Sequence, residues 1–272
     1  MARYLSEELI EKLKSGEYSR VLRWINRDRE LSLEIRNSEA KVYYRKGLVL
    51  TINNRGHKLA ADGYFTTSKC PELDKSEPKK YFESVKEAID NFGRRGEFTV
   101  QQLIALYNSD KNPDYLVVDM EYQFAQMNIS NKDRIDKSRI DIVAVERDTK
   151  SIILFELKKD SKAIFGDSGN EDHIRKMGEH IKNEKFCKQL REDVRTIIKQ
   201  KIDLGIYEEG MKKYIPDEKD KVIIKPMFIF SYETDDDRNK YDDEMERLKK
   251  KGMTVPETIY IPAPWRLKKE EK

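Results

Sequence analysis

The stretch that decides the fold runs from Arg139 to Lys158 and reads RIDIVAVERDTKSIILFELK. Two apolar segments flank a short polar turn at residues 146–150, and this pattern predicts two strands joined in an antiparallel hairpin. Because side chains alternate between the faces of a strand, Glu156 and Lys158 share one face while Leu157 points to the other. Buried charges cost free energy unless something compensates them, so these charges at the end of an apolar strand indicate a functional site.

The hairpin carries a second acid, Asp141, near the start of its first strand. The short turn makes Asp141 and Glu156 cross-strand neighbours, and two carboxylates held together repel each other unless a cation lies between them. Mg²⁺ is such a cation, because it binds few protein carboxylates and fills its remaining positions with water and phosphate oxygens. The pair therefore predicts a Mg²⁺ site that polarises a phosphoryl oxygen, with Lys158 orienting the attacking water or stabilising the developing charge.

The overall composition predicts a soluble chain with a mixed surface. Of its 272 residues, 38% are hydrophobic and 39% are charged, and the formal net charge of +3 neither requires nor excludes a nucleic-acid partner. Cys70 and Cys187 are far apart and no C-x-x-C pair occurs, so we expect free thiols in a reducing compartment. With no apolar signal segment or membrane-spanning stretch, the sequence predicts a cytoplasmic protein without a membrane partner.

The chain divides into two regions. Residues 1–78 form a β-rich N-terminal region with a turn-rich end, and its role could be to recognise substrate, contact a partner or brace the core. Over residues 79–272 the expected order is helix, three strands, helices, strand, helix, strand. A hairpin followed by crossover helices predicts an α/β fold in which helices flank a mixed β-sheet. Pro226 in the fourth of these strands indicates an edge or a bulge.

Asp141, followed on the next strand by Glu156-Leu157-Lys158, resembles the motif of the PD-(D/E)XK nuclease superfamily. The resemblance implies a restriction-endonuclease-like fold with the element order αβββαβ, which is similar to the order read from residue 80 onward. It also implies that Asp141 and Glu156 ligate Mg²⁺, for which Mn²⁺ can substitute, and that the main-chain carbonyl of Leu157 joins them. Lys158 would then activate or position the water.

The resemblance extends over residues 95–262 and leaves residues 1–75 unexplained. Ile140 stands where the motif has proline before the aspartate, a position at which proline is commonly absent. The Glu-x-Lys triplet alone carries little weight in a chain this rich in both residue types. Its specificity comes from the apolar run before it and from the acid on the neighbouring strand.

Three further polar residues are candidate site residues. Glu121 and Gln123 lie on one face of the strand predicted from Tyr115 to Met127, Glu121 as an additional metal ligand and Gln123 as a phosphate or water contact. Alternatively, both line the solvated face of an edge strand. Gln189 lies on the long helix after the hairpin, and helices at this point in the superfamily often present a polar residue to the site. The alternative for Gln189 is a solvated helix face.

The loop from Gly166 to His173 is a candidate phosphate contact, because glycines permit close approach and a helix N-terminus favours anions. We favour a plain connection that ends in a helix cap. For His173, one of three histidines in the chain, the alternatives are a residue that supports the site and a capping or surface residue, and we expect the second.

These features predict a metal-dependent nuclease that hydrolyses phosphodiester bonds of nucleic acid, with DNA as the expected substrate. The first alternative is a catalytically inactive nuclease-fold module that binds nucleic acid or a protein partner. The second is a structural protein in which the hairpin charges form an ordinary ion pair. The sequence does not decide the oligomeric state, and a homodimer is one candidate assembly.

Overall fold

The computed structural model describes residues 3–45, 47–59, 61–65, 69–91, 96–109, 112–123, 139–159, 164–165, 169–217, 222–232 and 234–261. The fold is mixed α/β, and its elements fall into two groups that are each built on one sheet. Among the helices that the structure describes, none is both long and apolar enough to cross a membrane.

The N-terminal group is a four-stranded antiparallel meander covered by helices. Its elements are α1 (Glu7–Lys14), α2 (Ser19–Arg27), β1 (Leu31–Arg36), β2 (Glu39–Tyr44), β3 (Gly47–Asn53) and β4 (Gly56–Leu59). The two-residue turn between β1 and β2, Asn37-Ser38, has positive φ at both positions, 54° and 58°. This turn geometry matches the twist of adjacent antiparallel strands. The predicted β-rich N-terminal region is therefore present.

The next helix, α3 (Lys79–Asn91), packs on this meander. Its buried residues share one apolar core with β1, β2 and β3, namely Tyr81, Phe82, Val85 and Ile89. The predicted division after residue 78 therefore falls just before a helix that belongs to the N-terminal core. Turn-forming residues show where the chain changes direction, but they do not show which core the next helix joins.

The second group contains the predicted hairpin at the centre of a five-stranded mixed sheet. Its elements are α4 (Glu97–Tyr107), β5 (Tyr115–Tyr122), β6 (Ile140–Glu146), β7 (Ile152–Lys158), α5 (Asn170–Lys182), α6 (Glu184–Asp203), β8 (Ile224–Phe230), α7 (Asp235–Lys250) and β9 (Glu257–Tyr260). The strand order is β5-β6-β7-β8-β9, antiparallel from β5 to β7 and parallel from β7 to β9. The predicted element order is confirmed, whereas residues 124–127 of the first predicted strand lie outside the described residues.

The hairpin strands β6 and β7 are buried along their whole length. One face of the sheet packs against α4 and the other against α6, in two separate apolar cores. Two-sided burial of this kind requires nearly continuous aliphatic sequence, which both strands have. Asp141, Glu156 and Lys158 are the charged exceptions near the site end of these strands.

Pro226 lies in β8, which has a neighbouring strand on each side. The described pairing between β8 and β9 begins at Met227, so Pro226 precedes the ladder on that side. Proline lacks the N–H that a ladder needs, and it is tolerated where a strand is locally an edge. The predicted edge at Pro226 therefore holds for one side of the strand.

Helix α6 joins the two groups. Gln200 exchanges two hydrogen bonds with the backbone of Leu5, each of 2.8 Å, and Asn26 donates to the carbonyl of Leu204 at 2.9 Å. Leu204 itself belongs to the N-terminal core. The end of α6 therefore anchors the N-terminal group against the second sheet.

Candidate functional site

Three acidic residues stand in one row across the sheet. The register between β5 and β6 places Glu121 opposite Asp141, because the residues on either side of Glu121 are paired with those on either side of Asp141. The register between β6 and β7 places Glu156 opposite Asp141 on the other side. The hairpin turn therefore brings Asp141 and Glu156 together as predicted, and the first strand of the sheet adds a third carboxylate.

Asp141 is a buried carboxylate, 9% exposed, whose Oδ2 accepts a hydrogen bond of 2.7 Å from the backbone N–H of Leu157. Burial raises the pKa of Asp141 well above its usual range, and the negative charge of Glu156 raises it further. The Leu157 N–H opposes this shift in part, while Glu97 and Glu121 add to it. The charge at this point is therefore undercompensated.

Glu156 is held by two cationic or hydrogen-bonding groups. Lys158 Nζ donates to Glu156 Oε1 at 3.1 Å, and His173 Nδ1 lies 2.9 Å from the same oxygen. The Lys158 and Glu156 side chains are each 5% exposed. The hairpin charges therefore form a buried cluster, and an ordinary solvated ion pair does not describe them.

The expectation that His173 is a capping or surface residue is wrong. His173 lies in the first turn of α5, is 17% exposed and contacts Glu156. The start of α5 depends on Gly169, where a Cβ would lie 2.7 Å from the carbonyl oxygen of Ile164. The glycine thus permits a close approach within the chain itself, and this brings His173 over the end of β7. Sequence alone does not give that path.

Glu97 is a site residue that the sequence did not single out. It is the first residue of α4, and burial raises its pKa. The Lys158 ammonium opposes that rise, and the charges of Glu156 and Glu121 reinforce it, so Glu97 faces the same cluster. An acid in the first turn of a helix is common, because the helix dipole favours it there. The one feature of the sequence that could have indicated Glu97 is its position at the start of the helix before the three strands that form the site.

Glu121 has an unusual backbone for a glutamate, with φ of +52°. Its carboxylate pairs at 3.0 Å with the exposed Arg139, the residue before β6. A left-handed residue interrupts the alternation of a strand, so the predicted common face of Glu121 and Gln123 no longer follows. Gln123 is half-buried directly after β5. Its contact with phosphate or water stays a prediction.

Gln189 takes part in a different pair of hydrogen bonds. Its Nε2 donates to Asp193 Oδ1 at 2.8 Å, and Tyr122 donates to Asp193 Oδ2 at 2.8 Å. Gln189 therefore supports the residue that follows Glu121, through Asp193. Its hydrogen bond to Asp193 does not test the predicted contact with the site.

The donors at this site have the chemistry that a hard divalent cation requires. Carboxylate oxygens are the ligands that such ions take, and a cation would relieve the repulsion between Asp141 and Glu156. Within the described part of the chain, no three or more His, Cys, Asp or Glu side chains are already arranged to hold a metal. The positive charge next to Glu156 and Glu121 comes instead from Lys158 and Arg139.

Comparison of the chain with models of known protein families, with curated proteins and with solved structures found no match. The case for a function therefore rests on the residues and on their geometry.

Proposed function

We propose that the chain is a metal-dependent nuclease with a restriction-endonuclease-like fold of the PD-(D/E)XK superfamily, and that it hydrolyses phosphodiester bonds of DNA. One observation carries the proposal: Asp141 and Glu156 are buried on facing strands, with the Lys158 ammonium 3.1 Å from Glu156. The element order around the hairpin supports it. Charged groups kept in an apolar hairpin reduce stability, which is expected where they serve a function.

Asp141, Glu156 and the main-chain carbonyl of Leu157 would hold Mg²⁺ or Mn²⁺, with Glu121 and Glu97 as additional acids. The Leu157 N–H faces Asp141, and the N–H and carbonyl of one strand residue point to the same side of the strand. The Leu157 carbonyl therefore lies on the side of Asp141. When bound, the ion would supply a Lewis acid for the phosphate oxygens and lower the pKa of a bound water.

The rest of the mechanism depends on positioned side chains. Once Glu156 is engaged as a ligand, the Lys158 ammonium can orient the water that attacks the phosphate in line and can stabilise the developing charge. His173, 2.9 Å from Glu156, holds that carboxylate in one orientation. Positioning and electrostatics supply most of the acceleration, because phosphoryl transfer asks for little covalent chemistry from the protein.

Cleavage of DNA and RNA by the purified chain with Mg²⁺ or Mn²⁺ tests this proposal. Glu156→Gln should reduce cleavage by about 1,000-fold, as loss of a group that stabilises the transition state does. Glu146→Gln is the matched control, because Glu146 is a buried carboxylate at the other end of β6, and cleavage should not change. Full activity of Glu156→Gln, or a wild-type chain that neither cuts nucleic acid nor binds Mn²⁺, would overturn the proposal.

A second candidate function is a nuclease-fold module that binds nucleic acid or a protein partner without cutting. The contact between Lys158 and Glu156 favours it, because a buried ammonium neutralises the carboxylate without a metal. Nucleic-acid binding by such a module weakens with salt and is indifferent to chelator and to Lys158→Ala. Binding that is lost on chelation excludes this alternative.

A further inference from the structure

The outer edge of β5 is occupied by side-chain donors from other elements. β5 is an edge strand of its sheet, and such an edge normally presents its carbonyl groups to solvent. Here four carbonyls accept side-chain hydrogen bonds. Tyr207 donates to Val117 at 2.6 Å, Lys201 to Val118 at 2.9 Å, Arg36 to Met120, and Arg3 to Glu121 at 3.3 Å.

The charged donors lie in a largely buried group of ion pairs. We call Arg3, Glu34, Arg36, Asp119 and Lys201 the interface cluster, because they lie between the N-terminal group and β5. Arg3 is 2.7 Å from Asp119, Lys201 is 2.9 Å from Glu34, and Arg36 is 3.7 Å from Asp119. The Arg3 and Lys201 side chains are at most 4% exposed.

Burial of ion pairs costs desolvation, and well-packed apolar residues often stabilise a fold as well or better. The interface cluster is therefore a poor device for stability alone. Its value lies in directed donors, because the planar guanidinium of arginine fixes the groups it binds in direction as well as distance. The groups held in this way are the backbone of one strand.

The two arginines hold the part of β5 that enters the candidate site. Arg36 binds the carbonyl of Met120, and Arg3 binds the carbonyl of Glu121, the residue with φ of +52° opposite Asp141. A non-glycine residue in this conformation is strained, and it persists where its surroundings determine it. Arg3 and Arg36 supply such surroundings at two adjacent carbonyls.

We propose that Arg3 and Arg36 are positioning residues of the candidate site, through which the N-terminal group fixes Glu121 beside Asp141. The inference rests on the proposed function, since it assigns Glu121 a part in metal binding. The N-terminal region would then contribute to metal binding, because it holds the backbone of Glu121, the third acid of the site, in place.

A double-mutant cycle on Mn²⁺ affinity tests the inference. Arg36→Met and Glu121→Gln should each weaken Mn²⁺ binding by about tenfold, measured by calorimetry, as loss of outer-shell support does. The double variant should be no weaker than Glu121→Gln alone, because Arg36 acts through Glu121. Two additive losses would overturn the inference. If Arg36→Met fails to fold, Arg36→Lys takes its place, since it keeps the positive charge but lacks the planar guanidinium. Arg36→Lys should weaken Mn²⁺ binding by less than tenfold, and this loss should be absent when Glu121 is already replaced by Gln.

Asn26→Ala is the matched control, because it removes a hydrogen bond between the N-terminal group and Leu204 without touching β5 or the segment that carries Arg3. It should lower the thermal unfolding temperature and leave Mn²⁺ affinity unchanged. Equal weakening by Asn26→Ala would mean that any loosening of the N-terminal group disturbs the site, and would overturn the inference. A wild-type chain that neither binds Mn²⁺ nor cuts nucleic acid would overturn the proposed function, and the inference with it.

Discussion

Two buried groups of charges lie on either side of β5, and they differ in how their charges are balanced. In the interface cluster, three basic side chains face two acidic ones, and each acid lies within 4.0 Å of a base. We call Glu97, Glu121, Asp141, Glu156, Lys158 and His173 the site cluster. Its four carboxylates are more numerous than its cations. Burial raises the pKa of Asp141 and the negative charge of Glu156 raises it further. Burial also raises the pKa of Glu34 in the interface cluster, but there the Lys201 ammonium opposes the rise.

The excess of negative charge makes the site cluster, rather than the interface cluster, the place where a cation is expected to bind. A buried group in which every acid has a base beside it needs no further ligand, whereas an undercompensated group is stabilised when a ligand of opposite charge binds. The same residue types therefore serve different purposes on the two sides of one strand.

The largest expected effect comes from unbalancing the interface cluster. Lys201→Met should lower the free energy of unfolding by about 3–5 kcal/mol, because it leaves the Glu34 carboxylate buried without its ammonium partner. Urea unfolding measures the change as a lower midpoint at constant m-value. Replacing both partners, Glu34→Leu with Lys201→Met, should recover most of the loss. A double variant as unstable as Lys201→Met would contradict the pairing of Glu34 with Lys201 as the cause of the loss.

Adding a divalent cation should stabilise the site cluster. At about 100 times its dissociation constant, Mn²⁺ should raise the free energy of unfolding by about 2.7 kcal/mol, since it binds the folded chain alone. At a fixed Mn²⁺ concentration the gain should increase with pH, because the ion competes with a proton for Asp141. The pKa of Asp141 is higher in the folded chain than in the unfolded one, so the metal-free protein loses stability as pH rises above about 3.9, the unfolded value, through the folded value.

Thermal unfolding between pH 5 and 8, with and without Mn²⁺, measures both effects. Asp141→Asn is the control, and it should remove the Mn²⁺ stabilisation at every pH. A Mn²⁺ effect that survives this substitution would place the ion outside the site cluster.

A smaller effect is expected from His173. His173→Ala should weaken Mn²⁺ binding by about tenfold, because the imidazole no longer orients Glu156. His173→Gln retains a donor and should restore part of the affinity. His180 lies on the same helix but stacks on Phe186 in the core, so His180→Ala should reduce stability without a change in Mn²⁺ affinity. Equal losses for both histidines would show that α5 merely needs to be intact.

The smallest expected effect is a gain in stability when Asp141 loses its charge and with it the ability to bind a metal ion. Asp141→Asn keeps the shape and the acceptor for the Leu157 N–H but removes the charge, so the metal-free variant should be about 1 kcal/mol more stable than wild type at pH 8. The advantage should disappear near pH 3, where the acid is protonated in both folded and unfolded wild type. Urea unfolding at the two pH values measures it. A destabilised variant at pH 8 would mean that the Asp141 charge is already compensated.

Features that depend on local sequence pattern, such as the hairpin and the order of the elements, could be predicted from the sequence. Asp141 and Glu156 could be paired from sequence because a short turn between two apolar strands leaves few registers, and the element order followed from the periodicity of each segment. Glu97 and His173 could not be placed, because each reaches the cluster through the packing of a helix on the sheet. Glu121 was found by residue type, but its positive φ depends on donors far away in the sequence.

The same limit explains the boundary between the two regions. Lys79 to Asn91 has an apolar stripe at helical spacing, and the spacing alone does not state which sheet the stripe packs against. Which core receives the stripe depends on the shape of the complementary surface, which is a property of the folded chain.

The hydrogen bond from the Leu157 amide to Asp141 allows the charge of that carboxylate to be followed through the backbone. In a regular ladder this amide would donate to a backbone carbonyl, whose acceptor strength is constant with pH. Here it donates to a group that gains and loses a proton, so the protection of one amide follows the charge of one carboxylate. Hydrogen–deuterium exchange at Leu157 should therefore titrate, and its midpoint should shift to lower pH when a cation occupies the site. Exchange at this one amide of β7 therefore reports both the charge of Asp141 and the binding of a cation beside it.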